Sequence, residues 1–275
     1  MKRKFGICEW SLPVSGTLAL RLAAEAGFDG IQLGESGGRR MGFPLNNERV
    51  QALYREEAER SRLILHSLNL GALLAEGTLN YSAETCQGTW ARESLRQGFE
   101  VCRNLSVGTV VITVEPPTEE AFENVVTHLR YALELARDHG VEIAIESAQP
   151  LSQIIKLLEC LDGRVKICMD LLNPLRFRTG NPQEQILRFG KEMISHFHMK
   201  DSQRDLFQPG QRGCVLLGEG DAGYERSVKI IKDMDFEGWM ITENYYYLPP
   251  MNDGSEDFLS LAKKDLQTMK VSFAD

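Results

Sequence analysis

Eight short, mainly apolar runs alternate with longer segments along this chain. The runs lie at residues 1–8, 29–33, 63–68, 110–114, 141–145, 165–169, 194–198 and 239–242. They lack a strict polar–apolar alternation. The absence of alternation is typical of strands that a parallel sheet buries on both faces. The segments between them, such as 17–26, have helical spacing, and Gly27 follows where a helix C-terminus is expected. This order predicts an α/β fold in which helices cover a parallel sheet.

The chain length favours closure of that sheet into one barrel. The 275 residues could hold two domains, but (β/α)8 barrels commonly run to about 250 residues as one domain. No Pro/Ser-rich linker or low-complexity tract divides the sequence. We therefore expect a single (β/α)8 TIM barrel domain over residues 1–275. Its longer connections, 71–88 and 201–223, would follow strands three and seven, where barrels build specificity.

Composition narrows the classes of partner. The net charge of −8 and the absence of a Lys/Arg stripe argue against a nucleic acid partner. No run reaches the roughly 18 apolar residues that a membrane span needs, and the start lacks a long apolar segment. Six scattered cysteines without a C-x-x-C pair indicate reduced thiols. We expect a soluble, cytoplasmic protein that does not act at a membrane; a homo-oligomer is compatible with the sequence.

Four polar side chains mark the ends of the last four predicted strands. They are Glu146, Asp170, His198 and Glu243. A parallel barrel turns the C-terminal ends of its strands toward one mouth, so these side chains should converge. Three carboxylates and one imidazole suit a divalent cation such as Mn²⁺, Mg²⁺, Zn²⁺ or Co²⁺. The sequence predicts one divalent metal site at this mouth.

Three of these residues also have a simpler interpretation, and for His198 it is a histidine hydrogen-bonded near a strand end. A single acidic residue after a strand often only caps the next helix, which applies to Glu146 and Asp170. His196 lies on the same side of its strand as His198, because side chains alternate with period two, so spacing does not separate the two histidines. The recurrence of such residues on strands five to eight favours the metal site over four independent caps.

Six short motifs carry a family resemblance. They are FDGIQ at 28–32, IE at 145–146, MDLLN at 169–173, HFHMKD at 196–201, LGEG at 217–220 and ITEN at 241–244. In this order they resemble the xylose-isomerase-like TIM barrels, which include sugar phosphate isomerases/epimerases, ketose 3-epimerases, inosose dehydratases and the endonuclease IV group. The resemblance implies metal ligation by Glu146, Asp170, His198 and Glu243. It also implies that Glu146 and Glu243 move protons on opposite faces of the substrate.

The chain departs from two branches of that superfamily. Asn173 stands where the ketose epimerases and nucleases usually have the histidine of Asp-x-x-His. The nucleases have Asp-x-His where this chain has RGC at 212–214, so their additional metals would lose ligands. Ser152 replaces a second glutamate of the ketose epimerases. We therefore expect no apurinic endonuclease activity.

Other polar and aromatic residues are candidates for contact with substrate. The predicted substrate-binding residues are His66, Asn173, Lys200 and Arg212. Trp10, Phe43 and the tyrosines at 245–247 could line the mouth, because aromatic faces cover the apolar side of a sugar ring. A packing role for at least one of those tyrosines is the simpler expectation.

Residues 218–223 (GEGDAG) match the dinucleotide-binding pattern G-x-G-x-x-G literally. That site requires the pattern between the first strand and helix of a βαβ unit. Here it lies late in the chain, before a helix that Asp221 could cap. We interpret it as a turn and not as an NAD site.

These features together predict a metal-dependent isomerase or epimerase. Its substrate would be a sugar or related polyhydroxy carbonyl compound, and its intermediate an enediolate. An inosose-type dehydratase would use the same cation for loss of water, and a non-catalytic sugar-binding barrel would use the same scaffold. The sequence leaves open the sugar, its phosphorylation and the metal.

Overall fold

All eight predicted strands are present and follow one another in chain order around a closed barrel. The computed structural model describes residues 3–34, 44–206 and 213–274. The strands are β1 (Arg3–Cys8), β2 (Gly30–Gly34), β3 (Ile64–Asn69), β4 (Thr109–Thr113), β5 (Glu142–Glu146), β6 (Lys166–Asp170), β7 (Ile194–Met199) and β8 (Gly238–Thr242). The recorded pairings are parallel. The prediction of a (β/α)8 barrel is confirmed.

Helices separate the strands. They are α1 (Thr17–Ala26), α2 (Glu48–Ser61), α3 (Gly71–Ala75), α4 (Cys86–Leu105), α5 (Glu119–His139), α6 (Leu151–Cys160), α7 (Asn173–Arg176), α8 (Pro182–Met193), α9 (Tyr224–Asp233) and α10 (Phe258–Ser272). Within the described ranges, none of them is both long and apolar enough to cross a membrane. All six cysteines lie in those ranges, and none forms a disulfide.

Local capping chemistry explains where several helices begin and end. Gly27 ends α1 in the left-handed conformation, with φ of 93°, as its position in the sequence predicts. The Thr118 hydroxyl accepts a hydrogen bond from the Ala121 amide at the start of α5. The Asp257 carboxylate does the same for Leu259 and Ser260, so α10 begins after it.

Two short helices were not predicted. Helix α3 lies within the connection expected at 71–88, and α7 follows β6 directly. Both are only one turn or slightly longer, so neither shows the repeated apolar spacing that predicts a helix from sequence. Helix α7 depends on a side chain from the preceding strand, described below.

Contacts group the residues into two units. In the unit that contains β1, β6, β7 and β8, the register aligns Asp170 with His198 and Met199 with Thr242. The backbone amide of Glu243 then donates to the carbonyl of Met199 at 3.1 Å. In the unit that contains β3, β4 and β5, Thr113 is aligned with Glu146. These registers put the predicted ligands at the C-terminal ends of their strands.

Candidate active site

The four predicted metal ligands form a compact set of donor atoms. We call Glu146, Asp170, His198 and Glu243 the ligand cluster. Each offers one oxygen or nitrogen atom, and these atoms lie within 4.8 Å of one another. Their exposed fractions are 7%, 4%, 0% and 7%. Groups that lie far apart in sequence thus converge where several strands end, as expected for a barrel active site.

Lys200 lies among the carboxylates of this cluster. Its Nζ is 3.0 Å from Asp170 Oδ2 and 2.6 Å from Glu243 Oε2. Burial disfavours the charged lysine, but Asp170 and Glu243 outweigh burial and raise the pKa of Lys200 well above its usual range. Burial alone would raise the pKa of Glu243, but Lys200 and His198 hold that pKa well below its usual range. Glu243 is therefore an ionised carboxylate beside a charged lysine.

The two carboxylate oxygens of Asp170 have different partners. Oδ1 accepts hydrogen bonds from the backbone amides of Leu172 and Asn173, at 2.7 and 2.6 Å. These bonds stabilise the first turn of α7. Oδ2 faces Lys200. The capping role and the place in the ligand cluster are therefore compatible, because each uses a different oxygen.

The fold gives the two neighbouring histidines different partners. Both are fully buried, and their ring centroids are 5.6 Å apart. His198 Nδ1 lies 3.1 Å from Glu243 Oε2. His196 groups instead with Cys168 and His198 and is absent from the carboxylate set. The geometry favours His198 as the histidine of the ligand cluster.

Two hydrogen-bond donors orient the glutamates. Trp10, in a short 3₁₀ turn after β1, donates from Nε1 to Glu243 Oε1 at 2.9 Å. Thr113, at the end of β4, donates to Glu146 Oε2 at 3.2 Å. Each glutamate thus has one oxygen held by a neighbour.

The donor set fits a hard or borderline divalent cation. Carboxylate oxygens and an imidazole nitrogen are ligands for Mn²⁺, Mg²⁺, Zn²⁺ and Co²⁺. Buried carboxylates also require compensating positive charge. Lys200 provides part of it for Asp170 and Glu243. A cation held by the ligand cluster would provide more.

The predicted substrate-binding residues have different surroundings. Lys200 contacts the carboxylates of the ligand cluster, as described. Asn173 is half-buried at the start of α7, and its backbone amide bonds to Asp170. His66 lies in the middle of β3, and its Nδ1 is 2.9 Å from Ser67 Oγ. Arg212, like Phe43, lies outside the described residues. Substrate contact by any of these residues stays a prediction.

The glycine-rich segment 218–223 is a turn organised by Asp201. The Asp201 carboxylate accepts hydrogen bonds from the amides of Gly218, Gly220 and Ala222, at 3.0, 3.2 and 3.1 Å. A Cβ on Gly220 would lie 2.2 Å from Asp201 Oδ1, so this close approach requires glycine. The expected cap was wrong: Asp221 accepts from the Arg204 amide, and Gly223 precedes α9.

Sequence reasoning missed contacts that only the fold creates. Gln32 on β2 accepts from His198, and Cys8 on β1 lies beside both. The sequence offered one signal, the polar residue Gln32 within a predicted strand. In the structure Gln32 has no solvent exposure. The hydrogen bond from the Trp10 indole nitrogen to Glu243 was also not predicted, and the role of Trp10 in lining the mouth stays a prediction. Tyr246 is fully buried, so a packing role for one tyrosine is confirmed.

Comparison with known proteins identifies the family. The family model for the xylose isomerase-like TIM barrel matches residues 20–264. The chain belongs to this family. The resemblance read from the six motifs is thereby confirmed.

The individual proteins similar to this chain share little of its sequence. A 2-epi-5-epi-valiolone 7-phosphate 2-epimerase from Actinoplanes sp. is 26% identical over 237 residues, 84% of this chain and 83% of the relative. The structure of a D-tagatose 3-epimerase-like protein matches with a TM-score of 0.76 at 18% identity, over 98% of this chain and 96% of the other. The D-allulose 3-epimerase from Methylomonas sp., solved with D-allulose, has a TM-score of 0.73 at 17% identity, over 98% and 97%. At such identities the structures support the shared fold.

Proposed function

We propose that the protein is a divalent-metal-dependent isomerase or epimerase of a sugar or related polyhydroxy carbonyl compound. The observation that carries the proposal is the ligand cluster at the C-terminal ends of the barrel strands. The sugar class is supported by the relatives, which include a 2-epi-5-epi-valiolone 7-phosphate 2-epimerase and a D-allulose 3-epimerase. The reaction would pass through an enediolate-type intermediate.

The residues of the ligand cluster would hold one cation, Mn²⁺, Mg²⁺, Zn²⁺ or Co²⁺. When bound, such a cation supplies Lewis acidity, which makes the C–H beside a carbonyl easier to deprotonate. His198 contributes the nitrogen donor of the set, and its Nδ1 is the ring atom nearest to Glu243.

Glu146 and Glu243 are the proposed proton-transfer residues. An ionised carboxylate can accept the proton from the substrate carbon, and a protonated one can return it. Placed on opposite faces of the substrate, the two would invert the configuration at that carbon. The hydrogen bonds from Thr113 and Trp10 hold one oxygen of each carboxylate, and they thereby fix the orientation of the other oxygen.

Burial of these groups supports the same chemistry. The four side chains are at most 7% exposed, so they interact with little competition from water. Charge interactions are stronger in such an environment, and reactive intermediates are protected from water.

Turnover in D₂O tests the proposal. Purified protein would be stripped with a chelator, reloaded with Mn²⁺ and supplied with cyclic and open-chain polyhydroxy ketones. We expect deuterium at the carbon beside the carbonyl, provided that exchange with solvent outpaces return of the same proton, and we expect it only with the cation present. NMR would locate the deuterium.

Other outcomes would indicate other functions. Deuterium uptake accompanied by loss of water would reassign the protein to the dehydratases. Ligand binding without any exchange or turnover would indicate a sugar-binding barrel. Equal turnover by the stripped and reloaded protein would refute metal dependence.

A further inference from the structure

A buried amide lies behind the histidine of the ligand cluster. Gln32 is fully buried in β2, where the sheet register pairs it with Cys8 of β1. Its Oε1 is 2.6 Å from His198 Nε2 and 3.2 Å from Cys8 Sγ. The amide therefore contacts His198 on the ring nitrogen opposite to the one that faces Glu243.

The amide oxygen of Gln32 faces the ring of His198. A buried thiol is a hydrogen-bond donor, and Cys8 donates to the same Gln32 atom that His198 approaches. This atom is the amide oxygen, which accepts from both neighbours. His198 Nε2 must then carry a hydrogen and donate it to Gln32.

This hydrogen bond decides what the other ring nitrogen can do. A neutral imidazole has one N–H and one lone pair. As a metal ligand the imidazole is neutral, and with the hydrogen on Nε2 its lone pair is on Nδ1, the atom that lies 3.1 Å from Glu243 Oε2. Nδ1 is therefore available as the ligand atom. Metal-binding histidines commonly have their second nitrogen held in this way.

The amide nitrogen of Gln32 gives independent support. Among the described residues it is buried without a hydrogen-bond partner. A buried donor without a partner lowers the stability of the folded state. A methionine would fill similar space without that cost, so packing alone does not account for glutamine here. The oxygen is the part of the side chain with a partner.

We propose that Gln32 is a positioning residue that holds His198 with Nε2 protonated and Nδ1 directed at the divalent cation. This inference rests on the proposed function for the cation itself. Gln32 acts through His198 and does not contact the substrate.

Cation affinity tests the proposal without an activity assay. Mn²⁺ and Zn²⁺ would be titrated against a chromophoric chelator with the wild type, Gln32→Met, Gln32→Glu and Gln51→Met. Gln51 is a matched control, because its buried amide donates to the Leu45 carbonyl and not to the ligand cluster. Gln32→Met should weaken binding about 10–100-fold, as loss of an outer-shell partner typically does. Gln32→Glu keeps the oxygen acceptor and should retain the affinity, and Gln51→Met should not change it.

Histidine NMR provides a second measurement. Long-range ¹H–¹⁵N spectra of the Zn²⁺-loaded wild type should show the His198 hydrogen on Nε2, and Gln32→Met should lose this single form. Circular dichroism would show that each variant is folded. Wild-type affinity in a folded Gln32→Met variant would overturn the positioning role alone. Absence of specific cation binding by the wild type would overturn both this inference and the metal dependence.

Discussion

Lys200 has the same partners that a bound cation would have. Its ammonium lies within 3.0 Å of oxygens of Asp170 and Glu243, and its side chain is only 3% exposed. Without a cation, the lysine offsets the repulsion between two buried carboxylates. The residue expected to orient substrate therefore has a clear electrostatic role within the ligand cluster itself.

Lys200→Met should strongly destabilise the metal-free protein. Removing one partner of a buried ion pair typically costs about 3–5 kcal/mol, because the remaining charge is left uncompensated. Added Mn²⁺ should restore more stability to the variant than to the wild type, since binding to the folded state stabilises it. Thermal unfolding with and without Mn²⁺ measures both effects. Lys229→Met is the control, because Lys229 forms an exposed pair with Asp233 on α9; equal behaviour of the two variants would contradict the role of Lys200.

Glu243→Gln should lower kcat by about 10²-fold or more, the usual contribution of a general acid or base. An amide cannot accept the substrate proton and is a poor metal ligand. Steady-state kinetics must be paired with metal analysis, because lost ligation alone would give the same loss. Glu225→Gln, at an exposed position in the first turn of α9, should keep full activity. A metal-loaded Glu243→Gln variant with normal turnover would eliminate the two-glutamate mechanism.

At the scale of elements, a buried network attaches α10 to the end of β8. Asp265 of α10 is fully buried, and its carboxylate accepts from the Leu217 amide at 2.8 Å, Asn244 Nδ2 at 2.7 Å and the Tyr246 hydroxyl at 2.9 Å. Asn244 directly follows Glu243. The network thereby supports the backbone that carries a member of the ligand cluster.

This network should make stability depend on pH. Burial outweighs the three hydrogen bonds and raises the pKa of Asp265 from 3.8 to about 7. The folded state then holds the proton more tightly than the unfolded state, so this contribution is fully present below about 3.8 and is lost as pH rises to about 7.

Asp265→Asn should remove this pH dependence and destabilise the protein by about 1–3 kcal/mol, because the new amide places a donor against existing donors. The stability advantage of the wild type over the variant should shrink as pH rises toward 7. Urea unfolding of both proteins at several pH values measures this difference in stability. Asp233→Asn, at an exposed position on α9, should follow the wild-type pH profile. An advantage that grows with pH would show that Asp265 is ionised throughout.

At the scale of the whole molecule, a barrel of this family can support several chemistries, and its particular side chains separate them. The resemblance to the nuclease branch implies metal ligands at the places where this chain has Asn173, Arg212 and Cys214. We expect no metal-dependent cleavage of an abasic-site duplex by the Mn²⁺- or Zn²⁺-loaded protein. A gel assay with a known abasic endonuclease as the positive control measures this. Robust cleavage that a chelator abolishes would contradict the prediction.

The sequence by itself determined the order of the strands and the positions of the four polar strand ends. Both are local properties: short apolar runs predict strands, and the C-terminal ends of parallel strands meet at one mouth. Gly27 likewise ended α1 as predicted, because few other residues adopt the left-handed conformation readily. That residues 1–275 form one domain stays a prediction.

Only the tertiary structure decided which side chains face one another. Period two left His196 and His198 equivalent, and the register between β7 and β8 put His198 beside Glu243. Helix α7 was missed because it is one turn long and depends on Asp170. Gln32 and His198 are 166 residues apart, so no local pattern predicts their hydrogen bond. Such contacts arise from barrel closure and strand register, which combine many weak interactions across the whole chain.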